Sequence, residues 1–98
     1  MVKLPKDSKH RKTIADIRSK PVPKNLIWED IESLFKAIGC IVKEGKGSRV
    51  TFQYALKQKN RPDRIVQEHF HRPHPQKEAK PYQIKIAGFF LTRLEELP

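Results

Sequence analysis

Arg49-Val50-Thr51-Phe52-Gln53-Tyr54 alternates without a break between polar and apolar side chains. Successive side chains of a strand leave on opposite sides, so this period of two predicts a strand. Val50, Phe52 and Tyr54 lie on its buried face, and Arg49, Thr51 and Gln53 on a wet one. A sheet with one wet face must be covered on the other, and the chain supplies cover from both directions. Upstream, Ile27, Ile31, Leu34, Phe35 and Ile38 line one face of a helix that Asn25 can cap, and Glu29 and Asp30 suit the positive end of its dipole. Gly39 can adopt the left-handed conformation that closes this helix, and Cys40-Ile41-Val42 follows as a strand. Downstream, Ile86, Phe90, Leu94 and Leu97 recur at helical spacing. Phe89 widens that stripe, and Pro81 suits the helix's first turn.

Between the first two strands, Gly45-Lys46-Gly47-Ser48 reads as a hairpin turn. It lacks the spacing of the phosphate-binding and dinucleotide motifs, and it joins strand to strand where those join strand to helix. A third strand is expected from about Arg64 to Arg72. Its apolar Val66 and Phe70 share one parity, interrupted by Glu68, which leaves Gln67, His69 and His71 on the other side. Arg49 and His71 then share the wet face of one antiparallel pair. Lys57, Lys59 and Arg61, ahead of a Pro62-Asp63 turn, make a basic hairpin tip. The expected class is α+β: residues 25–98 form helix, three antiparallel strands and helix, with both helices on one sheet face.

Residues 1–24 form a separate basic arm, with eight Lys or Arg against two Asp. Ser8 can cap a short helix through Ile14 and Ile17, ending by about Lys20 because Pro21 disfavours helical geometry before it. The arm is either a solvated tail or a helix docked on the domain. The whole chain has 98 residues, enough for one modest core, and a net charge of +10 that favours a polyanion, with nucleic acid foremost. No apolar run approaches the ~20 residues of a membrane span. One cysteine, Cys40, can form no internal disulfide, and no secretory signal opens the chain, so a reducing cytoplasm is expected.

The chemistry concentrates in His69-Phe70-His71-Arg72-Pro73-His74-Pro75. Imidazoles exchange protons near neutral pH and arginine holds phosphate, which suits work on a phosphodiester. The same histidines can equally be the solvent-facing positions of a strand that the prolines end. Three histidines also invite a zinc reading. No acidic partner is well placed for it and the neighbouring arginines repel a cation, so no metal or other cofactor is expected. Ser48 lacks the strained elbow of a nucleophilic serine.

The helix ending in Ala37-Ile38-Gly39, Gly47-Ser48 opening the second strand, Pro73-His74-Pro75 after the third, and the last amphipathic helix together resemble the HicA toxins, from about Ile27 to Leu97. These are small RNA-cleaving proteins of bacterial toxin–antitoxin pairs with a double-stranded-RNA-binding-like fold. The resemblance implies RNA, specifically mRNA, as target, a HicB-like antitoxin that silences the protein in a hetero-oligomer, and metal-independent endoribonuclease chemistry. In that family Gly-Ser is typically followed by a catalytic histidine; here Arg49 follows. His74 matches the family's second histidine. The expected catalytic set is therefore His71, His74 and Arg49. Lys46, Ser48, Arg49, Lys57, Lys59, Arg61, His69 and Arg72 are expected to contact RNA. The alternative is a module of the same fold that binds RNA or a protein partner without cutting.

Overall fold

A computed structural model describes residues 2–98. Its elements run α1 (Ser8–Arg18), α2 (Trp28–Ile38), β1 (Ile41–Glu44), β2 (Arg49–Leu56), β3 (Arg64–His71) and α3 (Pro81–Glu95). The strands form one antiparallel sheet in the order β1-β2-β3. Val50 and Phe52 of β2 and Val66 and Phe70 of β3 are buried on one face, as the alternation predicts. Helices α2 and α3 close over them. Trp28 and Phe35 of α2 stack against Phe52 with ring centroids 6.0 and 5.4 Å apart, and Phe35 meets Phe90 of α3 at 5.2 Å. Removing a ring as enclosed as Phe52 costs about 3–5 kcal/mol, because the transfer energy and the cavity left behind add.

The elements end where local chemistry ends them. Gly39, at φ 120°, closes α2: its N–H reaches the Phe35 and Lys36 carbonyls, and Cys40 N–H adds a bond to Phe35. Asn25 does not cap α2. The helix begins at Trp28 with Ile27 at the cap position and no side-chain cap, because the preceding backbone is engaged elsewhere. Trp28 N–H donates to the Lys77 carbonyl and Ala79 N–H to that of Leu26, around a bridge pairing Ile27 with Glu78. This pairing also gives partial order to the stretch 76–80 between β3 and α3.

Two further expectations are corrected. Asp7, not Ser8, caps α1, its carboxylate accepting the His10 N–H at 3.2 Å. Phe89 does not widen the buried stripe of α3: it is 61% exposed, while Ile84, Ala87 and Leu91 are buried beside Phe90 and Leu94. α1 packs on α2 and α3, with Ile17 in the common core and Ile14 at its margin, so the arm carries a docked helix. Cys40 is buried, and burial pushes its thiol up to about 12, which leaves it protonated and inert at neutral pH.

Candidate nucleic-acid interface

Register turns strand parity into a surface. Across the β2–β3 ladder Arg49 faces His71, Thr51 faces His69 and Gln53 faces Gln67, and on the other side Thr51 faces Lys43 of β1. Since Val42, Val50, Phe52 and Phe70 belong to the covered face, these residues line the uncovered one. Lys46, Arg49, Thr51, His69 and His71 border a hollow of about 520 Å³ at this end of the sheet, closed below by the β1–β2 turn. The turn holds its shape through Gly45 N–H to the Arg49 carbonyl at 2.9 Å and Arg49 N–H to the Lys46 carbonyl at 3.1 Å. Gly47 takes φ 60° within it, a conformation that a side chain disfavours.

Both histidines of the hollow are held by hydroxyls. Thr51 Oγ1 lies 2.8 Å from His69 Nδ1, and Ser48 Oγ lies 3.3 Å from His71 Nδ1. Neither ring's Nε2 has a hydrogen-bond partner among the described residues. The carbonyl of His71 accepts from the side-chain amide of buried Gln83, whose oxygen in turn accepts the Lys80 N–H at 2.7 Å. The start of α3 thus holds the end of β3. Arg49 and Lys46 are exposed and form no ion pair among the described residues.

Arg72 is differently placed. It follows β3, which ends at His71, one residue short of the expected strand, although Arg72 N–H still bonds the Ser48 carbonyl at 2.8 Å. Its guanidinium bridges Glu32 of α2 (Nε to Oε1, 2.6 Å) and Glu44 of β1 (Nη2 to Oε2, 2.7 Å). Glu32 also accepts the Trp28 indole N–H at 2.7 Å. The hydrogen bond from Arg72 holds the Glu44 carboxyl below its usual range, and the two carboxylates raise Arg72 in return. This one side chain thus ties the end of β3 to both α2 and β1.

The remaining expected residues lie apart. His74 is exposed on the loop after β3, between Pro73 and Pro75, and forms no hydrogen bond among the described residues. Those prolines border a second hollow, of about 420 Å³, with Trp28, Glu29, Glu32 and Arg72; His74 lines neither hollow. Lys57, Lys59 and Arg61 occupy the β2–β3 hairpin tip, seven residue steps along β2 from Arg49, or about 23 Å. There Lys57 pairs with Asp63 at 2.9 Å, and Asn60 turns the chain at φ 61°. Among the described residues no group of three His, Cys, Asp or Glu stands close enough to hold a metal ion. Sequence reading missed Lys43 and Thr51. The parity of Val42, for Lys43, and the wet-face parity of Thr51 were the available signals.

The model of the HicA toxin of bacterial toxin–antitoxin systems matches residues 28–87, which is more than half of the chain. The chain belongs to the HicA toxin family. The match begins at the first residue of α2 and stops within α3, so α1 stands outside it. No significant match to the chain is found among curated proteins or among solved structures. Family membership makes the protein a toxin of the toxin–antitoxin kind, whose partner kind is a cognate antitoxin. No helix of the described residues is long and apolar enough to cross a membrane.

Proposed function

We propose that this HicA family member binds RNA on the uncovered sheet face and cleaves it without a metal, and that a cognate antitoxin silences it in a hetero-oligomer. One observation carries the reading: two imidazoles and two cations, Arg49 and Lys46, that form no ion pair among the described residues meet in one hollow on a chain of net charge +10. Attack by the 2′-hydroxyl of RNA on the adjacent phosphorus needs a base for that proton, donors for the growing phosphorane charge, and an acid for the departing 5′-oxygen. His71, held by Ser48, is one proton-transfer group. Arg49 directly opposite holds the phosphate. His74, which matches the second histidine of the family pattern, is the pattern's candidate for the other group.

The tip residues Lys57, Lys59 and Arg61 extend the contact along the RNA backbone, and Arg72 shapes the site from behind through Glu32 and Glu44. An acidic antitoxin surface laid over this face would neutralise the same charges. The decisive experiment incubates metal-stripped protein in chelator with a structured and an unstructured RNA. Products ending in 2′,3′-cyclic phosphate are expected, together with loss of cleavage once the antitoxin is co-purified.

A second reading rests on one residue. Arg49 stands where the family typically has its histidine, which favours a protein that binds RNA and has lost its base. Under that reading the wild type binds without cutting, and Arg49→His creates measurable cleavage.

A further inference from the structure

An in-line displacement at phosphorus puts the attacking and leaving oxygens on opposite sides of the phosphate. When base and acid each reach their oxygen over about 2.6–3.2 Å, the two nitrogens stand roughly 6–9 Å apart. Residues two apart on a strand leave the same face about 6.5 Å from one another. The backbone positions of His69 and His71 stand at this separation on β3, and the two residues border the same hollow and face Thr51 and Arg49 respectively. His74 borders neither hollow described above.

We infer that His69 is the second catalytic imidazole, working with His71 across one bound phosphodiester. This rests on the proposed RNA cleavage and names the pair of groups that performs it. The hydroxyl holding each Nδ1 is suited to the task. A threonine or serine oxygen both donates and accepts, so it partners the ring when Nδ1 carries a proton and when it does not. Nε2 is then free to cycle.

The step balances with one histidine neutral and the other protonated at the start. The neutral Nε2 takes the 2′-hydroxyl proton as O2′ bonds phosphorus. The P–O5′ bond breaks, and the protonated ring gives its Nε2 proton to O5′. The products are a 2′,3′-cyclic phosphate and a 5′-hydroxyl, with the two histidines having exchanged protonation states. Arg49 and Lys46 supply positive charge to the non-bridging oxygens at the same end of the hollow.

The test is single-turnover cleavage of one RNA oligonucleotide in chelator by wild type, His69→Gln, His71→Gln, His74→Gln and Thr51→Val, each across pH. The three histidines are exposed, so these variants keep the fold, which unchanged melting temperatures verify. His69→Gln should cut at least about 10²-fold more slowly with RNA affinity within about threefold. It should also lose one limb of a bell-shaped pH profile that wild type shows. Thr51→Val should slow cleavage about five- to tenfold and displace that same limb. If His74→Gln, and not His69→Gln, loses that limb and its rate, His74 is the second group and this assignment is overturned. Wild-type cleavage with an unaltered rate and both limbs in His69→Gln would overturn this assignment while leaving the ribonuclease reading standing. A wild type that binds the oligonucleotide but never cuts it would overturn both.

Discussion

The two ends of the β2–β3 ladder are both basic and both exposed, yet they differ in what surrounds the charge. At the tip, Lys59 and Arg61 sit on a turn whose nearest ordering contact is the exposed Lys57–Asp63 pair. At the other end, Arg49 and Lys46 share a hollow with two imidazoles whose rings are pinned by Ser48 and Thr51. Behind that hollow, Arg72 ties α2 and β1 to the end of β3, and Gln83 ties α3 to it. Positive charge alone attracts a polyanion. Chemistry needs positioned proton carriers, and only the hollow end has them.

The sharpest break between the ends is expected in rate. His71→Ala should lower cleavage by about 10²-fold or more with little change in RNA affinity, since a proton-transfer group contributes mainly to the transition state. Lys59→Ala with Arg61→Ala should do the reverse. The cleavage rate of bound RNA should hold, while affinity falls and the salt dependence of binding flattens by about one to two units of log–log slope. Fluorescence anisotropy at several salt concentrations, beside single-turnover kinetics, separates the two effects. Arg49→Ala should combine them, because a phosphate contact acts in both ground and transition states.

Smaller effects should appear in stability. Arg72→Ala should cost about 1–3 kcal/mol in urea unfolding, the range for losing charged hydrogen bonds, because Glu32 is left largely enclosed without its cation. Lys57→Ala at the tip should cost under about 1 kcal/mol. The Arg72 contact also sets a pH signature. Glu44 is held below its ordinary value of 4.5 by the Arg72 hydrogen bond, so its contribution is fully present above that pH. It disappears as pH falls through the depressed value. In acid melts, Glu44→Gln should therefore lose less stability between neutral pH and pH 3 than wild type does.

Much of this contrast was legible in the chain. The parity of Val50 and Phe52, with that of Val66 and Phe70, determined which side faces the core and put Arg49 and His71 on the other. Register was not legible, since it depends on how the two hairpins close, and without it the Thr51–His69 contact has no sequence signal. Lys43 was missed because β1 is four residues long and opens on exposed Ile41, leaving Val42 alone to set its phase. The role of Arg72 depends on carboxylates 40 and 28 positions away, a convergence made by tertiary packing. Phe89 fits helical spacing as well as Phe90 does; only the position of α1 and the sheet decides which ring is enclosed. Asn25 is a good cap residue in a chain that starts its helix three residues later, where backbone pairing with 77–79 takes over.

The central claim is that the hollow end of the uncovered sheet face cuts RNA, whereas the tip only holds it. Its most direct test is a side-by-side single-turnover assay, in chelator and at saturating protein, of wild type, His71→Ala and the Lys59→Ala/Arg61→Ala double variant on one RNA oligonucleotide. The account predicts 2′,3′-cyclic phosphate products from wild type and from the double variant at rates within about threefold of each other, and a rate at least about 10²-fold lower from His71→Ala. Equal cleavage by wild type and His71→Ala, or cleavage abolished by the tip substitutions at saturation, would contradict it.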